Sequence, residues 1–401
     1  MPAGLNRREW LALAASAYPL CAASDSAGRT RSVIEAYEKQ GFHRTGTAVD
    51  KASGQWLSEE VRRAGLKPRL EPFTLSRVDL VSATLTAGDR RIEGIPLFDG
   101  VFTDAAGVGG RLGEEISLQE TAVNAADTGS LGDARRQGKF RAIVCITRGA
   151  RPGLCPSNAD LFRQPFGPPV LQVASEETAW LRNLAQQRSE VHVTAEVRRV
   201  HAEAFNVTAR IAGGNSALPP LVIMTPRSGW YTCASERGGG IVCWLELMRI
   251  LQNPRPARDI LFVASSGHEL GHLGINAFVD RRPGIVKNSV AWIHLGANIG
   301  AALDPGNTVQ ASDDEMEALW TQAMTGAGLP ILRRVPRGTV PGGEAEVVHR
   351  GGGRYASAIG RNAMFHNPDD RGPLVVDPQA VSRFIGALTV LATRLANNTE
   401  T

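Results

Sequence analysis

A run of strand-forming residues that ends in glycine, histidine and glutamate constrains this chain more than any other segment. Residues 259–274 read Asp-Ile-Leu-Phe-Val-Ala-Ser-Ser-Gly-His-Glu-Leu-Gly-His-Leu-Gly. The letters from His268 to His272 match His-Glu-x-x-His, in which two imidazoles one helical turn apart bind zinc and the glutamate is a general base. That chemistry requires a continuous helix. Here β-branched and aromatic residues precede the pattern and glycines interrupt it, which favours a strand running into a loop.

The composition is that of a globular protein without the character of a nucleic-acid binder. The chain has 401 residues, of which 43% are hydrophobic and 21% are charged. A chain of this length has roughly two or three domains and enough residues for a large core. The formal net charge is only +4, and no block of Lys or Arg suited to a phosphate backbone is present. We therefore expect no nucleic-acid partner.

The first residues carry an export pattern. Arg7 and Arg8 precede a short apolar stretch and small residues that end near Ala23, which resembles a twin-arginine signal. The stretch is too short to span a bilayer, and an ordinary amphipathic helix is the alternative. No other segment has a long enough apolar run to be a membrane span. We expect residues 1–23 to be an export signal and the mature protein to be periplasmic or secreted.

Without this signal, the chain has an even number of cysteines, which fits an oxidising compartment. Cys145 and Cys155 flank a predicted hairpin and could form a disulfide. Cys233 lies three residues before Glu236 and could be a ligand or a nucleophile. A buried, small hydrophobic role is the commoner one for a single cysteine.

Strands and helices alternate from Asn206 onward, which predicts an α/β domain with a mostly parallel sheet flanked by helices. Ligands of such sheets bind beyond the carboxyl ends of the strands. Residues 29–65 are predicted to be helical, and the glycine-rich segment 348–360 is predicted to be a mobile, substrate-covering loop. The predicted strands are 207–211, 221–224, 259–263 and 290–295, and the predicted helices begin near Gly239, Gly274, Asp313 and Asp377.

Several segments share one family pattern. Residues 267–274 follow their strand in the way that the segment Glu-Glu-x-Gly-Leu-x-Gly-Ser follows the equivalent strand of the pattern. Residues 225–228 stand where the pattern has His-x-Asp-Ser, and residues 236–240 where it has Asp-Asn-Ala-Ser-Gly. Residues 365–370, Phe-His-Asn-Pro-Asp-Asp, are similar to Tyr-His-Thr-x-x-Asp. Together these segments resemble the aminopeptidase-type zinc peptidases, the family that includes glutaminyl cyclases and the transferrin receptor ectodomain.

The resemblance implies a fold and a domain division. The expected fold is α/β, with a mostly parallel, mixed sheet flanked by helices and an inserted β-rich protease-associated domain. The implied division is residues 1–23 as the export signal, 24–80 as the N-terminal part of the catalytic domain, 81–203 as the insert and 204–401 as the aminopeptidase-like domain.

The resemblance also implies a reduced metal site. The family binds two zinc ions through His, a bridging Asp, Glu, Asp and His, and a second Glu is the general base. The matching positions are Thr225, Glu236, Glu269, Gly296 and His366, with His268 at the base position. Thr225 and Gly296 replace the two ligands private to one zinc. We therefore expect one zinc ion, bound by the carboxylates of Glu236 and Glu269 and the imidazole of His366.

Further residues near the predicted strand ends are candidates for the site. Arg227 stands beside the vacated metal position, where a guanidinium could bind an anionic substrate group or form a salt bridge to Glu236. His268 could transfer a proton near neutral pH or could be a ligand. His272 and His294 are possible additional residues, although a lone histidine is more often structural.

These patterns favour an exported single-zinc hydrolase of amide or peptide-type bonds, acting on a small-molecule or peptide substrate whose anionic group Arg227 orients. The first alternative is a metal-free binding or structural protein, because two ligands and the general base are lost. The second is a one-zinc cyclase or lyase. Zinc content separates the enzyme hypotheses from the metal-free one.

Overall fold

A computed structural model describes residues 20–123 and 126–399, and most of them build one large sheet with helices on both faces. The predicted α/β class with a mixed sheet is confirmed. The strands are β1 (Arg69–Ala87), β2 (Arg90–Glu93), β3 (Ile95–Pro96), β4 (Val108–Arg111), β5 (Ile116–Ala122), β6 (Ala142–Arg148), β7 (Val170–Val173), β8 (Glu190–Ile211), β9 (Leu221–Pro226), β10 (Ile260–Ser265), β11 (Ala291–Leu295), β12 (Gly306–Ala311), β13 (Arg333–Arg334) and β14 (Tyr355–Arg361). The α-helices are α1 (Leu20–Glu38), α2 (Ala48–Arg63), α3 (Gly129–Gln137), α4 (Thr178–Gln186), α5 (Ala234–Leu251), α6 (Leu273–Asp280), α7 (Ile285–Asn288), α8 (Asp314–Gly326), α9 (Ala345–Arg350) and α10 (Pro378–Asn397).

The main sheet has ten strands in the order β13-β12-β14-β11-β9-β10-β8-β1-β2, with β4 added against β8. Its centre, from β14 to β10, is parallel, and its margin beyond β10 is antiparallel. The predicted strands after Asn206 are the end of β8 and strands β9, β10 and β11, and they are confirmed. Their carboxyl ends meet at one edge, where a ligand site is expected.

Both faces of the central strands are buried. Val222 and Ile223 are neighbours on β9 and lie in two different hydrophobic clusters, because successive side chains of a strand point to opposite faces. Ile223 packs with residues of α5 and α10, such as Trp244 and Phe384. Val222 packs with residues of α6, including Phe278. Burial on both faces explains the continuous apolar runs that made these strands visible in the sequence.

The helical prediction for residues 29–65 is wrong at its centre. Helix α1 ends at Glu38, and α2 begins only at Ala48, after an N-cap at Thr47 whose side chain accepts a hydrogen bond from the backbone N–H of Asp50. The intervening loop has a glycine with φ of +74° at Gly46, which a helix does not tolerate. This loop carries Thr45 into the candidate site.

Strands β1 and β8 form a long antiparallel ribbon. Their pairing runs from Arg69 opposite Thr208 to Thr86 opposite His192, with a register shift between Leu80 and Ser82. At its far end, the chain forms a second sheet of four strands in the order β3-β7-β6-β5. Both strands continue across the predicted domain boundaries, although the register shift lies at the first of them. The assignment of 81–203 to a protease-associated insert stays a prediction.

The segment that covers the strand ends is not the predicted one. Residues 355–361 of the glycine-rich segment are strand β14, which lies between β11 and β12. The prediction of a mobile loop there is wrong, because the strand is buried within the sheet. Residues 149–166, between β6 and β7, instead lie over the carboxyl ends of the central strands, and we call this segment the strap.

Candidate functional site

The site lies at the carboxyl ends of the parallel strands. Glu236 is in the first turn of α5, which follows β9. His268 and Glu269 are in a 3-10 turn that follows β10. His366 lies in the loop after β14, in the left-handed backbone region with φ of 55°. The structure therefore brings the predicted residues from separate parts of the sequence to one edge of the sheet.

Glu236 faces a buried arginine that the sequence analysis did not single out. Nη2 of Arg237 lies 2.6 Å from Oε1 of Glu236, and both side chains are buried. Nε of Arg237 donates to the carbonyl of Ser228 at 2.8 Å. Burial favours the neutral acid, but Arg237 and His366 outweigh it and hold the pKa of Glu236 at about 2. Glu236 is therefore a carboxylate whose charge is balanced by the protein itself.

Glu269 is fully engaged by neutral hydrogen-bond donors. Its Oε1 accepts from the backbone N–H of Thr45 at 2.8 Å and from the Thr45 hydroxyl at 2.7 Å. Its Oε2 accepts from the Ser228 hydroxyl at 2.7 Å. The same hydroxyl oxygen accepts from the backbone N–H of Gly267, which fixes the turn. Both carboxylate oxygens of Glu269 thus have partners within the protein.

His366 connects Glu236 to the strap. Its Nδ1 lies 2.6 Å from the carbonyl oxygen of Pro156. A carbonyl can only accept, so Nδ1 carries the proton. Its Nε2 lies 3.5 Å from Oε1 of Glu236 and makes no hydrogen bond.

Other side chains fill the half of the site where the resemblance places Thr225 and Gly296. The Thr225 hydroxyl donates to the carbonyl of Leu295 at 2.9 Å. A Cβ atom on Gly296 would lie 2.8 Å from Cε1 of His294, so the imidazole closes the space beside this glycine. Nδ1 of His294 lies 2.8 Å from the Ser357 hydroxyl. Burial lowers the pKa of His294 to about 3, so the ring is neutral at physiological pH.

Glu344 completes this half of the site, and no motif in the sequence indicated it. It precedes α9 and is fully buried, with Oε1 accepting from the Ser265 hydroxyl at 2.5 Å. Nδ1 of His268 lies 3.7 Å from the same oxygen. Burial, together with Arg237, holds the pKa of His268 well below its usual value, so this imidazole is also neutral.

The His-Glu-x-x-His interpretation requires a continuous helix, and it is wrong because this segment does not form one. His268 lies in a 3-10 turn of three residues, and Gly271 and His272 both adopt left-handed backbone conformations. The rings of His268 and His272 are 5.0 Å apart and tilted, but no helical turn connects them.

Arg227 points away from Glu236. Its Nη1 donates to the backbone carbonyl and to Oδ1 of Asp50, at 2.9 and 2.8 Å, and its Nη2 donates to the carbonyl of Phe205 at 2.6 Å. The guanidinium is fully buried in this pairing. The salt bridge to Glu236 that the sequence suggested is made by Arg237 instead.

The cysteines make no disulfide among the described residues. Cys145, Cys155, Cys233 and Cys243 are all free and buried. The predicted disulfide between Cys145 and Cys155 is therefore wrong. Burial raises the pKa of the Cys233 thiol well above its usual value, which suits a packed side chain rather than a nucleophile.

The donor set does not fit the zinc ion that the resemblance implied. Within residues 20–123 and 126–399, no group of three or more His, Cys, Asp or Glu side chains is arranged to hold a metal. Donors of Thr45 and Ser228 already occupy both oxygens of Glu269, and a zinc ion next to Glu236 would meet the fixed positive charge of Arg237. Zinc sites are built from three or four converging donors, and here Nε2 of His366 and Oε1 of Glu236 are 3.5 Å apart while Glu269 is held by other partners.

Buried polar atoms without partners surround this region. Such atoms are costly unless a ligand or ordered water satisfies them. The site atoms in this state are Oε1 and Oε2 of Glu236, Nη1 and Nη2 of Arg237, Nδ1 of His268, Nε2 of His294, Oε2 of Glu344 and Nε2 of His366. We call these six residues the polar cluster. The 2.6 Å contact of Arg237 with Glu236 is therefore an ion pair without hydrogen-bond alignment.

The strap is held over this cluster by hydrogen bonds to the loops that follow the main-sheet strands. Besides Pro156, the strap carbonyls of Pro152 and Leu154 accept from Asn367 and from the Tyr231 hydroxyl. Nε1 of Trp230 donates to Oδ1 of Asn158 at 3.1 Å, and the backbone N–H of Ala159 donates to the carbonyl of Glu269.

Solved structures with the same fold support the architecture. A zinc aminopeptidase from Bacillus subtilis superimposes with a TM-score of 0.74 at 16% identity, covering 94% of this chain and 96% of that one. The fold is that of the zinc aminopeptidases. An aminopeptidase from Aneurinibacillus sp. gives a TM-score of 0.72 at 14% identity, covering 92% of this chain and 94% of that one. No protein-family model matches the sequence.

Curated relatives match only a short part of the chain. A vacuolar membrane protease of Eremothecium gossypii is 29% identical over 113 residues, which are 27% of this chain and 11% of the relative. Relatives of the same name occur in Candida glabrata and Lachancea thermotolerans. These names contradict the predicted periplasmic or secreted location, which is wrong by this comparison. Residues 1–19, with most of the expected export signal, lie outside the described residues. No described helix is long and apolar enough to cross a membrane.

Proposed function

We propose that this chain binds peptide-type ligands in the closed polar cluster and does so without a catalytic zinc ion. The observation that carries the proposal is the position of Arg237, whose guanidinium lies 2.6 Å from the carboxylate of Glu236. Glu236 stands where the resemblance has the bridging aspartate. A protein cation thus balances the charge that a metal balances in the zinc aminopeptidases.

The chemistry of the two partners supports this reading. A buried carboxylate is stabilised by hydrogen bonds or by a nearby cation, and removing one partner of a buried ion pair is strongly unfavourable. Arginine is charged at every physiological pH, so the compensation does not depend on metal supply. Burial opposes the charge of Arg237, but Glu236 and its other anionic neighbours outweigh burial and raise its pKa further.

The unpartnered atoms support a polar ligand. The cluster offers donors at Arg237 and acceptors at Glu236 and Glu344, all buried. A peptide group has one N–H donor and one carbonyl acceptor, which suits such a mixed lining. The peptide class is inferred from the scaffold, because the solved structures that share it are named as aminopeptidases.

A single-zinc hydrolase is the second candidate function. It would use Glu236, Glu269 and His366 as ligands and His268 to move a proton, and the bound zinc would polarise a substrate carbonyl. The unpartnered Nε2 of His366, 3.5 Å from an unpartnered oxygen of Glu236, favours it. The donors of Thr45 and Ser228 on Glu269 oppose it, since they compete with a metal for the carboxylate oxygens.

Metal analysis separates the two candidates. Protein purified from zinc-supplemented medium is analysed for metal, and its hydrolysis of chromogenic aminoacyl anilides is measured. We expect less than about 0.1 zinc per chain and no hydrolysis. About one zinc per chain, lost in Glu269→Ala and His366→Ala, would establish the second candidate instead.

Arg237→Asn adds a matched test, because the family pattern has Asn at this position. Removing the guanidinium leaves Glu236 without its cation, so we expect zinc affinity to rise relative to wild type in isothermal titration. Arg333→Asn, at an exposed arginine far along the main sheet, is the control and should bind no more zinc than wild type.

A further inference from the structure

A groove lies between the strap and the β1–β8 ribbon, outside the polar cluster. Its volume is about 590 Å³, in the range of pockets that bind drug-sized ligands. The buried apolar side chains of Leu75, Phe162 and Leu273 contribute to its lining. Arg163 and Arg199 also line it.

The charge of this groove is positive and is not balanced by the protein. Arg163, Arg199 and His201 are exposed lining residues, and no carboxylate lines the groove. Among the described residues, no acidic side chain forms an ion pair with Arg163 or Arg199. Some exposed arginines elsewhere are paired, as Arg210 is with Asp259 at 2.7 Å, whereas the two that line this groove stand together without a carboxylate between them. An anionic partner is therefore the complement that the groove lacks.

The position of Arg199 is restrained before any ligand binds. Its guanidinium lies 5.3 Å from the ring centre of Phe102 and 6.0 Å from that of Phe162. Contacts of a cation with aromatic rings reduce the freedom of a long side chain, and less entropy is lost on binding. The aromatic ring of Phe162 is shared between this contact and the apolar lining.

We propose that the groove binds an acidic peptide segment, with carboxylates on Arg163 and Arg199 and a neighbouring apolar side chain on the lining formed by Leu75, Phe162 and Leu273. A small inorganic anion would fill only a fraction of the volume and none of the apolar lining. A peptide with a carboxylate next to an apolar side chain pairs with the arginines and also covers the apolar lining. The proposal uses no residue of the polar cluster, so it holds or fails independently of the proposed function.

Fluorescence anisotropy tests the groove with a fluorescein-labelled peptide of alternating glutamate and leucine. The full chain should bind it, and the affinity should fall with added salt, as it does for exposed charges. A glutamine counterpart of the peptide should bind at least 10-fold more weakly. The double variant Arg163→Gln/Arg199→Gln should weaken binding of the glutamate peptide at least 10-fold.

Matched controls make the result specific. The double variant Arg31→Gln/Arg333→Gln removes the same number of charges at exposed positions away from the groove and should bind like wild type. If the groove variant fails to fold, the variant Arg163→Lys/Arg199→Lys replaces it, because it keeps the charge. This lysine variant should still bind the glutamate peptide more tightly than the glutamine peptide.

Three results would overturn the proposal. Equal binding of the glutamate and glutamine peptides would show that charge is not recognised. Equal loss of affinity in the control variant would reduce the effect to net charge. Inorganic phosphate and unlabelled peptide can each be added as competitors of the labelled peptide. If both displace it at the same concentration, the groove is a simple anion site.

Discussion

The two halves of the candidate site differ in how their buried groups are stabilised. In the half that keeps its ligand types, Glu236 is charged and is paired with Arg237 at 2.6 Å. In the half that lost them, His294 is neutral, and its ring stands 2.8 Å from where a Cβ of Gly296 would be. One half contains a buried ion pair, and the other holds the neutral ring of His294 together with Glu344, which accepts a hydrogen bond from Ser265.

Under the proposed function, Arg237 takes the place of a metal beside Glu236, whereas packing of side chains fills the space beside Gly296. The first half should therefore depend on charge, and the second on packing and on the neutral state of its imidazole.

The largest expected effect is in the charged half. Glu236→Gln leaves the buried guanidinium of Arg237 without its ion-pair partner, so the free energy of unfolding should fall by about 3–5 kcal/mol. Chemical denaturation measures it. Glu344→Gln is the control in the other half, because an amide oxygen can still accept from Ser265, and it should cost about 1 kcal/mol. Equal losses in the two variants would contradict the comparison.

The neutral half should respond to pH. His294 has a pKa of about 3 in the folded protein and about 6.5 when unfolded, so the unfolded chain takes up the proton first as pH falls. Its stabilising contribution is complete above pH 6.5 and is lost between 6.5 and 3. Between pH 6.5 and 4.5 this loss is about 2 kcal/mol.

The variant His294→Gln isolates this contribution. Denaturation experiments at several pH values measure the loss of unfolding free energy between pH 6.5 and 4.5. This loss should be smaller in His294→Gln than in wild type by about 2 kcal/mol. His192→Gln, at an exposed histidine, should retain the wild-type slope. An unchanged slope in His294→Gln would mean that this ring does not remain neutral in the folded protein.

The smallest effect tests packing alone. Gly296→Ala would set a methyl group 2.8 Å from both His294 and Cγ1 of Ile359, so we expect a loss of about 1–3 kcal/mol in unfolding free energy. Gly326→Ala is the control, since a Cβ there meets nothing within 4 Å, and it should be neutral or stabilising. Wild-type stability of Gly296→Ala would mean that the space beside His294 is open.

Much of the fold could be predicted because the central strands are buried on both faces. Their apolar runs, followed by polar residues and glycine, identified β9, β10 and β11 and the edge where the site lies. Strand β14 was missed, since three glycines precede it and suggested a loop. Its pairing with β11 and β12 is a tertiary effect that local composition does not contain.

The site was only partly predictable for a similar reason. The positions of Glu236, Glu269 and His366 followed from the resemblance to the family pattern, but the partners of each side chain did not. Thr45 is 224 residues from Glu269 along the chain, and only the fold brings them together. Arg237 adjoins a recognised position, yet sequence alone does not tell whether its side chain points inward. Glu344 follows two glycines and matches no motif.

The β1–β8 ribbon has a mechanical consequence for the second sheet. Two continuous strands, rather than flexible linkers, join that sheet to the main one. Force on the second sheet is therefore carried by the backbone hydrogen bonds of the ribbon. Bending concentrates where those bonds are interrupted, at the register shift between Leu80 and Ser82. The paired strands therefore bend less than a flexible linker would, and they bend mainly at this bulge.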